Sequence, residues 1–416
     1  MKSSRPAAGA VDMLLRNPLI LPLYLPALLL STAQGVIIPV LPLFAQEFDA
    51  PYIWVGLILA GEGIGMLLSD LPAGVLLRRL DRRKGMLLGI GLVGLATFGL
   101  FWASSIAVAL LLRVLSGVGS SLYMISRHAY LAETIMIAKR GRSVALLGGT
   151  FRMGRFIGPV LGGSIAGAFG LHAAFLAYAV CCAAGVLMIA VFNRNYIRNG
   201  EGLAEGEPVE EQQVQAQKMT LGSGLRMLRL HFRRVAMPGL GALLLQMLRT
   251  GPQIIIPLYG SAVIGLDVEQ IGWILGISSA LDMTLFYPAG IIMDRFGRKA
   301  AIVPSTAIMA AGVALIPLTA NFAGLTVAGL LIGLGNGLGS GTMLTLGADL
   351  APSDARSEFL GLWSLIGDAG ITGAPLVIGA VADVLALQPA AWVIGGLGLL
   401  SSLVFGLFVP ETLRKA

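Results

Sequence analysis

The stretch 287-YPAGIIMDRFGRKAAI-302 repeats the stretch 71-LPAGVLLRRLDRRKGMLLG-89, and each lies where one long apolar run gives way to a cluster of cations before the next begins. A second pair keeps nearly the same offset, 36-VIIPVLPLF-44 returning as 254-IIIPLYG-260. Chance could produce either match alone. Both together mark a chain built of two related halves, and in repeated helical bundles the site lies between the repeats.

Outward from these anchors, apolar runs predict spans near 17–44, 52–77, 85–104, 107–133, 143–168 and 171–192, then near 235–262, 270–293, 300–319, 323–350, 358–383 and 389–409. The expected fold is an all-α membrane protein of twelve transmembrane helices in two pseudo-symmetric six-helix bundles, 1–195 and 235–416, joined by a polar linker, 196–234. Only 12% of the 416 residues are charged and 56% are hydrophobic, against about 25% charged in soluble domains. At about 20 apolar residues per span, that content leaves little room for a separate soluble domain. The 56 Gly and 20 Pro sit within the apolar runs, where close packing and local unwinding use them.

The formal charge of +7 does not point to nucleic acid, because the cations are sorted by loop. Every Lys or Arg outside the spans falls on one side: the N-tail, alternate loops, the linker and the C-tail. Arg113, Arg127, Arg152, Arg155 and Arg249 lie within spans. The positive-inside rule then puts both termini and the linker in the cytoplasm, with the protein multi-pass in the cell (inner) membrane. Residues 223–234, SGLRMLRLHFRR, place Leu225, Leu228 and Phe232 on one helical face. That suits an interfacial helix on anionic lipid, or a solvated basic linker. The N-terminus has no short apolar segment with a small-residue cleavage site, so insertion is expected through the first span. Cys181 and Cys182 are adjacent, which suits packing rather than a disulfide. The three His (His128, His172 and His231) are scattered, and neither HExxH nor a P-loop occurs, so no enzyme, metal or cofactor is expected.

The loop motifs resemble those of the major facilitator superfamily, which carries G-x-x-x-D-R-x-G-R-K between its second and third spans and again between its eighth and ninth. The second copy is complete in Gly290, Asp294, Arg295, Gly297, Arg298 and Lys299. The first keeps Gly74 and Arg79, but has Arg78 in place of Asp and Asp81 in place of Gly; Asp70, one turn earlier, is a candidate substitute. The fifth span reads 154-GRFIGPVLGG-163, with Gly154, Gly158, Pro159, Gly162 and Gly163, like the signature of the superfamily's antiporters and especially its proton-driven drug exporters. Glycines four apart admit a neighbouring helix, and Pro159 frees a carbonyl. Arg113 and Gly117 in the fourth span match a further R-x-x-x-G motif, in which the Arg is often implicated in proton coupling.

Charges inside spans are costly and usually functional or paired. The mid-span acids are Glu62, Asp70, Asp282 and Asp368, and the bases Arg113, Arg152, Arg155 and Arg249; Arg127 and His128, nearer the cytoplasmic end, are expected to be wetted. The resemblance implies that spans 1, 4, 7 and 10 line a cavity, making Gln34, Arg113, Arg249 and Asn336 candidate substrate residues. It also implies that span 5 meets span 8 and span 2 meets span 11. Arg152 and Arg155, on one face, would then confront Asp282, and Glu62 or Asp70 would approach Asp368. The expected activity is proton-coupled efflux of small amphipathic compounds by a monomer in the bilayer, with protons as coupling ion. An organic-anion transporter and a non-transporting receptor of the same fold are the alternatives.

Overall fold

The computed structural model describes residues 23–76, 81–134, 137–198, 232–352 and 356–413, and they form helices joined by short turns, with no strand among them. The first six helices are α1 (Leu25–Gln46), α2 (Tyr52–Leu76), α3 (Arg82–Gly99), α4 (Ile106–Thr134), α5 (Ile137–Phe169) and α6 (Leu171–Arg198). After them come α7 (Phe232–Thr250), α8 (Pro252–Tyr259), α9 (Val268–Phe296), α10 (Arg298–Leu315), α11 (Phe322–Leu338), α12 (Thr342–Leu350), α13 (Arg356–Val384) and α14 (Leu387–Leu407). Among the described residues, ten helical stretches are long and apolar enough to cross a membrane. The arginine-bearing α5 and the broken α7–α8 pair fall outside that number. The interfacial-helix residues Leu225 and Leu228, Arg79, and the surroundings of Gly74 lie outside the described residues.

Local chemistry sets the ends of these helices. Asp267 accepts from the Gln270 backbone N–H while the Gln270 side chain accepts from that of Asp267, a reciprocal cap on α9. Asn321 caps α11 through the Gly324 N–H at 2.9 Å. Between α9 and α10 the chain reverses at Gly297, whose φ of 105° and ψ of 167° lie in a region essentially closed to other residues.

Two expected spans are broken. The seventh divides at Gly251–Pro252, where proline cannot supply an N–H to continue the ladder. The tenth divides at 339-GSG-341, with Gly341 at φ 79°. The run 335-GNGLGSGT-342 carried that signal, since a glycine-interrupted apolar segment marks a discontinuous helix.

Helices before residue 198 pack mainly on one another: α1 on α5 and α6, α3 on α4 and α6, and α2 on α4. Those after 232 repeat the scheme, with α7 on α13 and α14, α9 on α11, and α10 on α11 and α14. Two long seams join the sets, α2 with α13 and α5 with α9, and α1 meets α8 between them. At the end whose described turns carry no Lys or Arg, both seams are tight. A Cβ at Gly163 would lie 2.7 Å from Val268 O, and one at Gly379 would lie 2.5 Å from Tyr52 O. Here Asp383, near the end of α13, accepts from the Tyr52 and Ile53 backbone N–H groups at the start of α2, at 2.5 and 2.9 Å. Toward the basic end the helices part: a Cβ at Gly148 or Gly149 of α5, or at Gly290 of α9, would meet nothing within 4 Å. The α5–α9 seam is thus closed at one end and open toward the other, as a cleft.

Candidate functional site

Arg152 of α5 and Asp282 of α9 meet across the seam between them. There Arg152 Nη1 lies 3.3 Å from Asp282 Oδ1 and 3.4 Å from Oδ2. Arg152 Nη2 donates to Ser340 Oγ at 3.1 Å, and the guanidinium lies 4.4 Å from the centre of the Phe286 ring. Ser340 is in the break between α11 and α12, and its hydroxyl also reaches Asp282 Oδ1 at 3.4 Å. The break therefore brings a hydroxyl to the ion pair. Gly337 seats α11 against the Asp282 backbone, since a Cβ there would lie 3.0 Å from Asp282 O. Ion pair, ring and hydroxyl thus tie the two sets of helices together at mid-depth. With the side chains 25% and 20% exposed, the pair is partly desolvated, where charge-assisted bonds exceed neutral ones.

Arg249, at the end of α7, serves the same break. Its Nη2 donates at 2.9 Å to Gly339 O, which also accepts from Thr342 Oγ1 at 2.6 Å, and Nη1 donates to Gln246 Oε1 at 3.3 Å. Its Nε is buried without an acceptor among the described residues. Arg155 lies deep between the helices, within electrostatic reach of Asp282 and Arg152, yet its side chain is exposed. It makes no hydrogen bond among the described residues. Gln34 of α1 and Asn336 of α11 are half-buried, and their side-chain amides are likewise without partners among those residues. Arg152 thus takes up Asp282, although Arg155 was expected to share it.

The remaining mid-span acids lie on α2 and α13. Arg113 Nη2 lies 2.7 Å from Glu62 Oε2, and Ser120 donates to Glu62 Oε1 at 3.0 Å. That pair joins α4 to α2, and at 5% exposure Arg113 does not open onto the cleft as the cavity expectation had it. Ser121 Oγ donates to Asp70 Oδ1. Asp70 in turn lies within electrostatic reach of Asp368 across the α2–α13 seam. The expected wetting divides: His128 is exposed, but Arg127 is only 2% exposed.

Within α5 the glycines serve two faces. Gly154, Gly158 and Gly162 receive α1, against Ser31, Gly35 and Val36, while Gly163 receives α9 at Gly272. Pro159 lies at that seam too, its carbonyl oxygen 2.5 Å from where a Gly272 Cβ would stand. At the basic end, Arg298 binds Asp294 at 3.3 Å and Asp349 of α12 at 3.1 Å. Arg295 is exposed. Sequence reading missed Glu411, whose carboxylate accepts from the Arg298, Lys299, Thr412 and Leu413 backbone N–H groups at 2.9 to 3.0 Å. Burial opposes its ionised form, but those four donors outweigh it and hold the carboxyl below its ordinary range. A carboxylate four residues past the last helix gave no periodic signal.

Two sets of long apolar helices, joined along two seams with an ion pair at mid-depth in one of them, have the architecture of a multi-helix membrane protein. The sequence profile of the Major Facilitator Superfamily matches residues 23–266 and 238–416, and the chain belongs to that family. It is 20% identical to an uncharacterized MFS-type transporter of Methanocaldococcus jannaschii, over 85% of this chain and 88% of that one. Multidrug resistance protein 2 of Bacillus subtilis is 27% identical over 39% of this chain and 40% of its own. Quinolone resistance protein NorA of Staphylococcus aureus is 22% identical, over 36% and 39%. The fold is similar to that of a POT family transporter in complex with 5-aminolevulinic acid, at a TM-score of 0.75 and 12% identity over 96% of this chain and 97% of that one.

Proposed function

We propose that this chain is a secondary active transporter that alternates access to its central cleft and exports small amphipathic compounds in exchange for protons. In this reading twelve spans form bundles 1–195 and 235–416 around the linker 196–234, and one monomer in the cell (inner) membrane suffices. The segregated loop cations support cytoplasmic termini and a cytoplasmic linker. A periplasmic signal from reporters fused at Ala204 or at the C-terminus would overturn that orientation. The cleft then faces the cytoplasm, the side from which an exporter loads. The glycine and proline pattern of α5 and the partial similarity to drug-resistance proteins support export.

The observation that carries the coupling is the Arg152–Asp282 ion pair across the α5–α9 seam. An acid at this depth needs a cation or a proton. The charged groups around it are Arg152 and Arg155 of α5 and Arg249 of α7. Closing the basic end and opening the other must slide α5 against α9, separate Asp282 from Arg152 and leave the carboxylate to take a proton. Asp70 and Asp368 at the other seam are the second candidates for that role. Asp282→Asn fixes a neutral state. In proteoliposomes with an imposed pH gradient, it should lose accumulation of the transported compound while keeping binding and some downhill exchange. Accumulation with an unchanged pH dependence would move the role to Asp70 and Asp368.

A further inference from the structure

The formal charges at the α5–α9 seam do not balance. Arg152, Arg155 and Arg249 face one carboxylate, Asp282, and a guanidinium does not lose its proton in proteins. Asp282 is engaged by Arg152, and Arg249 is spent on Gly339 O and Gln246. Arg155 remains deep, exposed and without an acceptor among the described residues. Of the other mid-span acids, Glu62 pairs with Arg113 inside the first set of helices, and Asp70 accepts from Ser121 and lies near Asp368 across the other seam.

We infer that the central cleft takes an amphipathic organic anion whose carboxylate, sulfonate or phosphate group docks on Arg155. The inference rests on the transporter reading above and narrows its substrate class. A planar guanidinium offers paired N–H donors that match an oxyanion. The half-buried, unpartnered amides of Gln34 and Asn336 offer further donors without adding charge. Phe286, 47% exposed beside Arg152, gives the apolar body of the ligand a ring surface. A lipophilic cation entering the same seam meets two uncompensated positive charges. An anion relieves them. Charge at this seam therefore selects against the cationic amphipaths that the glycine signature alone would admit.

The test uses three probes with one apolar body: 2-naphthoate, 2-naphthylmethylammonium and 2-naphthylalanine. Equilibrium binding to the purified full chain in detergent measures the docking, and uptake into proteoliposomes measures transport separately. Naphthoate should bind about tenfold tighter than the ammonium or more, and Arg155→Gln should weaken naphthoate by a similar factor, the order expected for a charge-assisted contact. Arg155→Lys should retain part of the affinity. If the glutamine variant does not fold, the charge ranking on the wild-type protein decides by itself. Tighter binding of the ammonium or the zwitterion, no saturable naphthoate binding, or naphthoate affinity indifferent to Arg155 overturns the inference. Naphthoate that binds through Arg155 but is never carried across the bilayer supports the docking site and defeats the transporter reading. An ammonium carried across, with naphthoate neither bound nor carried, does the reverse.

Discussion

Arg113 and Arg127 share one helix and meet the cost of burial in different ways. Arg113 has Glu62 at 2.7 Å. Arg127 lies 4.7 Å from the Phe151 ring centre and 5.4 Å from that of Tyr123, a cation held by aromatic faces. Removing one member of a buried pair leaves the other charged and alone, at about 3–5 kcal/mol in a dry site. Glu62 keeps 22% of its side chain exposed, so Arg113→Leu should cost less than that, on the order of 2 kcal/mol. Adding Glu62→Gln should restore most of the loss. Melting in detergent checks both, and a double variant no more stable than the single would show that the pair contributes little. The residue types of this site were legible in the sequence and the resemblance set both arginines opposite Asp282, but which of them makes the pair was not. Arg152 and Arg155, three positions apart, share a face of α5, yet only Arg152 reaches Asp282. A helix crossing that no list of positions contains decides between them.

At the scale of elements, α5 is two surfaces on one rod. Gly158 meets Gly35 of α1 inside its own set of helices: a Cβ at Gly35 would lie 2.8 Å from Gly158 Cα. Gly158→Leu should therefore lower the yield of folded protein rather than merely slow exchange, as size-exclusion profiles would show. Gly272 faces the seam, where its Cβ would stand 2.5 Å from Pro159 O. Gly272→Ala should fold but weaken the closed end, raising labelling of a cysteine placed at Leu258 by a membrane-impermeant thiol reagent; unchanged labelling would show that the seam yields around a methyl group. The glycine spacing announced close packing in the sequence, but not which helix each face receives. Glu411 supplies an element-scale clasp, capping α10 from beyond α14. Because its carboxyl titrates below its ordinary range in the folded protein, it stabilises above the unfolded pKa, near 4.5, and that contribution fades as pH falls through the lower folded value. Glu411→Gln should cost about 1 kcal/mol at neutral pH, the order of a helix cap, and the difference from wild type should shrink as pH falls below the unfolded value near 4.5. A difference that persists there would assign the loss to packing.

For the whole molecule, the repeat, the apolar runs and the sorted loop cations made the helical membrane architecture legible. They did not give the break in the seventh span, because hydropathy averages over a window and a hydrogen-bond ladder fails at a single residue such as Pro252; for the tenth, the signal lay in the glycine run 335–342. Nor could they give the state of the cleft. That depends on which ends of the seams touch, and closure at one end rests partly on Asp383. The carboxylate belongs to one set of helices and the amides of Tyr52 and Ile53 to the other, so the bonds that finish α2 also hold the gate. Those two amide hydrogens are shielded from solvent deuterons only while the gate is shut. Their exchange rate is then a label-free counter of gate opening, readable by mass spectrometry on peptides spanning residues 50–55. A ligand that favours the basic-end-open state should slow the deuterium uptake there, one that favours the opposite state should quicken it, and Asp383→Asn should leave it fast with either.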